Sequence, residues 1–303
     1  MGVPMGQSTD AFHEGERRAQ HLAGVEAPSS QFIRPFLTEQ HRAFFPALPY
    51  LVVGGLDASG WPAATFLSGE PGFIACPDET TLSVTWPDNV TDPVRSGLRR
   101  GQPIAVLGIE FGTRRRNRAN GLVADIDTAV VLMRVLQSFG NCPQYIRSRV
   151  SFRASREPEP IEILDGLDEK AGQIIASAST FFVASYAPSA PHSGMDVSHR
   201  GGPSGFVRVD GDRLTVPDYP GNRYFNTFGN FLENPRAGLV FVDFENGDLL
   251  HLFGDVDIKW QDDASGAQRA FTVRICRGVR RKAAVPLVWE DGPTLGRSPA
   301  EIS

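Results

Sequence analysis

The residues with the most chemistry to offer lie between Ser198 and Thr227, in SHRGGPSGFVRVDGDRLTVPDYPGNRYFNT. Two glycine-punctuated turns are expected there, Gly201-Gly202 and Pro220-Gly221-Asn222. His199, Arg200, Arg223, Asn226 and Thr227 supply cations, amides and hydroxyls beside them. Gly205–Val209 and Leu214–Val216 read as short strands joined at Asp210-Gly211-Asp212, because Asp-Gly between β-prone runs favours a hairpin. Cations and free backbone N–H groups at hairpin ends suit a phosphate group. An ordinary polar loop beside a hairpin is the alternative.

The elements that must position these residues are mostly strands. Tyr50–Gly54, Ala63–Leu67 and Ile104–Ile109 are apolar runs bounded by glycine and proline, a spacing typical of sandwiches and barrels. Helices are expected over residues 12–24, over Thr38–Phe45 with Thr38 as N-cap, and over Asp168–Ser177. The charged, proline-rich segment Arg153–Glu162 reads as a linker. Beyond it Phe181–Ser185 opens a second run of strands.

Composition narrows the possibilities. The chain has 303 residues, 41% hydrophobic and 21% charged, with net charge −5. This balance argues against a broad nucleic-acid surface. No apolar run reaches the roughly 20 residues that span a bilayer. The first residues lack the basic start and apolar core of a secretory signal, so a cytoplasmic location is expected. Cys76, Cys142 and Cys276 are too scattered for a disulfide framework or a zinc site, and the histidines show no metal-ligand spacing.

An internal repeat is present. Thr65–Ile74 aligns without gaps on Ser198–Val207, 133 residues later, and the same offset lays Ile104–Phe111 over Ala237–Phe244. The copies differ where chemistry would occur. Phe66 and Leu67 stand where the second copy has His199 and Arg200. An anion site without its cation loses most of its charge-assisted hydrogen bonding. The first copy instead keeps Asn141-Cys142-Pro143-Gln144-Tyr145 after its last strand, which the second copy lacks.

Taken together, Ser198-His199-Arg200-Gly201, Pro217-Asp218-Tyr219-Pro220-Gly221-Asn222-Arg223 and Asn141-Cys142-Pro143-Gln144-Tyr145 resemble the pyridoxamine 5′-phosphate oxidase-like, FMN-binding split-barrel family. The opening segment Phe12–Gln20 resembles it too, and the likeness weakens after about Trp260. The resemblance implies a mainly β chain with flanking helices, built as two tandem split barrels forming a pseudo-dimer. The expected divisions are an N-terminal helical segment (1–45), a first barrel (46–152), a linker and helix (153–178), a second barrel (179–262) and a C-terminal extension (263–303).

It further implies FMN held between the halves, one per chain. Arg200 and Arg223 would meet the phosphate, with Ser198, His199, Gly201, Asn226 and Thr227 around it. Pro217, Asp218 and Asn222 would line the ribityl chain or ring edge, and Asn141, Cys142 and Tyr145 would approach the isoalloxazine. A homodimer of whole chains forming the site across subunits is the alternative arrangement. The implied activity is a flavin-dependent oxidoreductase acting on a small molecule, with a non-catalytic flavin, deazaflavin or haem-related binding protein as the second reading. No catalytic residue is assigned. The basic run Arg114–Arg118 reads either as a solvated hairpin face or as a second anion contact, for the flavin phosphate or an anionic substrate.

Overall fold

The computed structural model describes residues 10–26, 28–87, 92–261 and 268–292. The chain begins with α1 (Glu14–Leu22), capped by His13, and α2 (Glu39–Phe44), capped by Thr38. Seven strands follow: β1 (Tyr50–Leu56), β2 (Pro62–Ser68), β3 (Ile74–Ala75), β4 (Thr81–Thr85), β5 (Pro103–Glu110), β6 (Arg115–Ile126) and β7 (Val130–Gly140), with α3 (Pro93–Gly97) before β5. Next come β8 (Arg149–Arg153), β9 (Glu162–Leu164) and α4 (Glu169–Ser177). The second set is β10 (Thr180–Tyr186), β11 (Met195–Gly201), β12 (Arg208–Asp210), β13 (Arg213–Asp218), α5 (Asn226–Glu233), β14 (Arg236–Val242), β15 (Leu249–Lys259) and β16 (Arg269–Arg281). β17 (Leu287–Asp291) ends the described chain.

The duplication is visible in the topology. The first sheet runs β2-β1-β5-β6-β7-β4-β3, and the second runs β11-β10-β14-β15-β16-β13-β12, the same order with each strand replaced by its later copy. β2 and β11 match end to end at the offset of 133 residues, Pro62 on Met195 and Ser68 on Gly201. In the last long strand the offset becomes 140, because Gly121 faces Val135 while Gly254 faces Ile275. The mainly β, tandem-barrel expectation is met.

β1 is a continuous apolar run because both its faces are covered. Leu51 and Val53 enter the core of the first barrel, while Tyr50 and Val52 enter a core shared between the barrels. β10 does the same, with Phe181 and Val183 inward and Phe182 and Ala184 in the shared core. Phe66, the counterpart of His199, stacks on Tyr50 at 5.2 Å between ring centroids and meets Phe182 at 6.1 Å in that shared core. The shared core joins the halves at aromatic rather than loop contacts, and a large apolar interface of this kind favours one fixed arrangement.

Two local readings change. Residues 154–161 of the segment read as a linker carry no regular structure, and strands flank them: β8 pairs with β17, Ser151 opposite Trp289, and β9 pairs with β16. The two post-barrel segments thus pair with each other across the halves. Gly201 is the last residue of β11 rather than part of a turn, and only Arg208–Asp210 of the expected Gly205–Val209 strand pairs with β13. Phe206 and Val207 instead turn into the second barrel's core, where burial outweighs strand propensity.

Candidate functional site

A cleft of about 480 Å³ opens where the two halves meet, lined by residues from β6, the segment after β7, β11, the end of β13, the loop into α5 and the start of β16. Of the expected site residues, Ser198, His199, Arg200, Gly201, Pro217, Asp218, Asn222, Arg223, Asn226, Thr227, Asn141 and Tyr145 all line it. Cys142 does not; it is half-buried beside the cleft wall.

The seam is built by close backbone approach. A Cβ on Gly201 would come within 2.1 Å of the Tyr145 carbonyl oxygen, so glycine at this strand end is what lets the first half's Tyr145 segment reach the second half. Tyr145 stacks on Tyr219 with ring centroids 5.1 Å apart, one tyrosine from each half. Tyr145, Arg223 and Phe225 all hold φ near +60°, at 61°, 61° and 60°. Left-handed backbone at non-glycine residues costs on the order of 1 kcal/mol each and tends to gather at ligand sites. Gly221, in the expected Pro220-Gly221-Asn222 turn, does not adopt positive φ.

The basic run is divided between solvent and the cleft, with Arg115 exposed. A strand sends alternate residues to one side, and Arg116 and Arg118 of β6 both face the cleft, while Arg115 turns away over the Phe44 ring. Arg118 is buried and donates to Asp196 at 2.5 Å, to Ser198 Oγ at 2.9 Å and to Asn226 Oδ1 at 3.2 Å. Burial pulls its pKa below the usual arginine range, and the Asp196 carboxylate opposes that shift. Thr227 donates to Ser198 Oγ at 3.1 Å, so the neutral site residues are held by this buried ion pair behind them.

Arg116 lies 3.0 Å from His199 Nδ1. A guanidinium can only donate, so Nδ1 accepts and the imidazole proton sits on Nε2. Burial, then the nearby Arg116 and Arg200 charges, holds His199 well below its ordinary pKa and hence neutral. Burial also lowers Arg116, to about 10. His199 Nε2, Arg116 Nε, Arg200 Nε and Asn141 Nδ2 are buried without protein partners. All four are donors on cleft residues, and a set of unmet donors suits an acceptor-rich, anionic ligand.

Arg200 is paired with Asp218 at 2.7 Å, and Asp218 also accepts from Arg269 Nε at 3.2 Å. Two arginines on one carboxylate leave a net positive charge beside the cleft. Arg269 was not legible as a site residue; its place opposite Asp218 follows from the β13–β16 register. Asp196 and Glu16 were likewise missed, while Arg116 and Arg118 lay within the expected basic run.

The first copy shows what became of the equivalent place. Leu67 and Trp86 stand where Arg200 and Asp218 stand, and both are buried in the first barrel's core. The Ala129 carbonyl, in the position of Arg269, accepts from the Trp86 backbone N–H at 2.6 Å. The ion triad has become an apolar plug. The helix starts differ in the same sense. Asp92 caps α3, accepting from Val94 N at 2.9 Å and Arg95 N at 3.2 Å, and it also takes Arg281 at 2.7 Å and the Thr65 hydroxyl. Its counterpart 133 residues on is Phe225, which gives α5 no side-chain cap. An uncapped N-terminus leaves N–H groups without partners.

Residues 167–286 match the family model for pyridoxamine 5′-phosphate oxidase. The match spans the second barrel and the helix α4 before it. Among solved structures, the chain is similar to HupZ of Group A Streptococcus, with 15% identity over 34% of this chain and 93% of that one and a TM-score of 0.28. A FAD-binding protein from Mesorhizobium loti is 11% identical over 40% of this chain and 97% of that one, with a TM-score of 0.28. A Clostridium acetobutylicum protein related to general stress protein 26, of the pyridoxinephosphate oxidase family, is 13% identical over 41% and 96%, again at 0.28. No curated protein sequence matches the chain. Among the described residues no helix is long and apolar enough to cross a membrane.

Proposed function

We propose that the cleft binds one FMN per chain and that the protein is a flavin-dependent oxidoreductase acting on a small anionic molecule. The observation that carries the reading is the uncapped N-terminus of α5 opening on the cleft beside Ser198, Arg200 and Thr227, against a capped and plugged counterpart in the first half. Backbone N–H groups at a helix start, with the helix dipole behind them, favour a phosphate. The unmet donors on Arg116, Arg200, His199 and Asn141 fit the remaining acceptors of such a cofactor. Tyr145 and Tyr219 supply flat apolar surface at the seam.

When bound, flavin supplies the hydride or electron chemistry, and the protein supplies binding, orientation and electrostatics. The residues here are suited to that division. His199 keeps its proton on Nε2 as a neutral donor, and among the described residues no carboxylate pairs with the Arg116 charge. Arg116 is the residue best placed to favour an anionic ligand or substrate beside the cofactor.

Two measurements test the reading. Freshly purified protein is expected to show a flavin absorption spectrum, with released cofactor identified by mass at close to one FMN per chain and reducible by NADH or NADPH. A colourless protein that also refuses added FMN would sink the assignment, and bound flavin that no nicotinamide reduces would leave a binding protein. Arg200→Leu, which copies Leu67 of the plugged half, is expected to weaken FMN binding by about one to two decades, from the loss of a charge-assisted phosphate contact. Asp218 keeps Arg269 in that variant, so the fold should persist. Unchanged FMN affinity would move the phosphate elsewhere.

A further inference from the structure

α1 and α5 cross at a glycine pair. A Cβ on Gly15 would meet the Gly229 carbonyl oxygen at 2.5 Å, and one on Gly229 would meet Glu16 Cα at 2.6 Å. That contact drives the side chain of Glu16 against the start of α5, where it accepts from Asn226 Nδ2 and, at 2.8 Å, from the His13 backbone N–H. Glu16 is 5% exposed, and among the described residues no lysine or arginine pairs with it. Asn226 bridges it to the cleft, since its Oδ1 accepts from Arg118 at 3.2 Å.

The charged and titratable groups around Glu16 come from several elements, and His192 of the loop between β10 and β11 lines the same small cavity. From its own helix, His13 lies 3.7 Å away, and His13 Nδ1 is in turn 2.9 Å from Glu233 of α5. From β11, Asp196 adds a like charge, and from β6, Arg118 adds the opposite one. His13 belongs first to Glu233, and Arg118 first to Asp196 and Ser198. The Glu16 carboxyl is therefore a buried acid whose neighbouring cations are engaged elsewhere, two hydrogen bonds behind the proposed phosphate seat.

We propose that Glu16 is a positioning residue of the anion seat and takes up a proton when that seat fills. This rests on the reading of the cleft as the FMN phosphate site. A phosphate at the head of α5 brings up to two negative charges into a cluster that already holds Asp196. An ionised Glu16 carboxylate would then repel the ligand, whereas the neutral carboxylic acid keeps an acceptor for Asn226 and removes the repulsion. The proton comes from solvent and stays on a Glu16 carboxyl oxygen while the ligand is bound. Burial already raises this carboxyl to about 7, so both forms are populated near neutral pH. By linkage, binding and protonation strengthen each other. Affinity is then full below about pH 7 and declines above it, by up to about tenfold per pH unit.

The test is titration of the full chain with FMN by calorimetry at pH 7.5, in two buffers of different ionisation enthalpy, for wild type and Glu16→Gln. Wild type is expected to take up about three quarters of a proton more than the variant per FMN bound. Between pH 7 and 8.5 its affinity should fall about tenfold further than that of the variant. FMN's own phosphate titrates near pH 6 and contributes equally to both proteins, so the difference belongs to Glu16. Riboflavin, which lacks the phosphate, should show no such difference. Equal proton counts in the two proteins would overturn the proposal while leaving FMN binding intact. A wild-type chain that binds no FMN would overturn the functional reading and this proposal with it.

Discussion

Arg118→Met is expected to cost about 3–5 kcal/mol of folding stability and to abolish anion binding in the cleft, because it leaves Asp196 buried without its partner. The side chains of Arg118 and Asp196 are 6% and 3% exposed, so solvent screens neither charge. Ser198 and Asn226 lose their donor at the same time. Urea unfolding reads the stability, and flavin retention after gel filtration reads the site. The double variant Arg118→Met/Asp196→Leu separates the two effects. Replacing both members of a buried pair by apolar groups is often close to neutral for stability. The double variant should therefore recover most of the lost stability while still failing to bind FMN. An Arg118→Met protein within about 1 kcal/mol of wild type would show that the ion pair is not closed off as the geometry has it.

Glu16→Gln is expected to stabilise the fold by about 3 kcal/mol at pH 8 and to have little effect below pH 4.5. The folded-state pKa of Glu16 is raised from 4.5 to about 7, chiefly by burial. The folded protein therefore holds this proton more tightly than the unfolded chain does. The carboxyl's contribution is fully present below the unfolded value near 4.5 and is lost as pH rises through about 7. Glutamine never ionises, so the variant avoids that loss. Urea melts at pH 4.5 and pH 8 give the difference directly. A pH-independent gap between the proteins would mean that Glu16 is ionised throughout, and it would remove the physical basis for proton uptake at the anion seat.

Much of this arrangement was legible in the sequence because duplication preserves register. Thr65–Ile74 over Ser198–Val207 predicted that β2 and β11 are copies, and the exchange of Arg200 for Leu67 marked the half that lost its cation. Pro217–Asn222 and Asn141–Tyr145 stood out for their turn residues and polar groups, and both line the cleft. Cys142 stood out for the same reason and does not line it, since a sequence motif fixes which residues are near but not which way each side chain turns.

The sequence by itself determined that there are two copies of one β unit and which of them keeps the polar groups, since both facts are carried by local pattern. Tertiary structure alone decided that Arg116 and Arg118 of the first copy complete the site of the second, and that Asp92 and Trp86 close the equivalent place. It alone set Glu16 against Asn226, 210 residues away in the chain, and Arg118 against Asp196, 78 residues away. Such partners share no local pattern. They meet because two apolar sheet faces pack on each other, and the packing of Tyr50, Phe66 and Phe182 between the barrels sets which polar groups end up side by side.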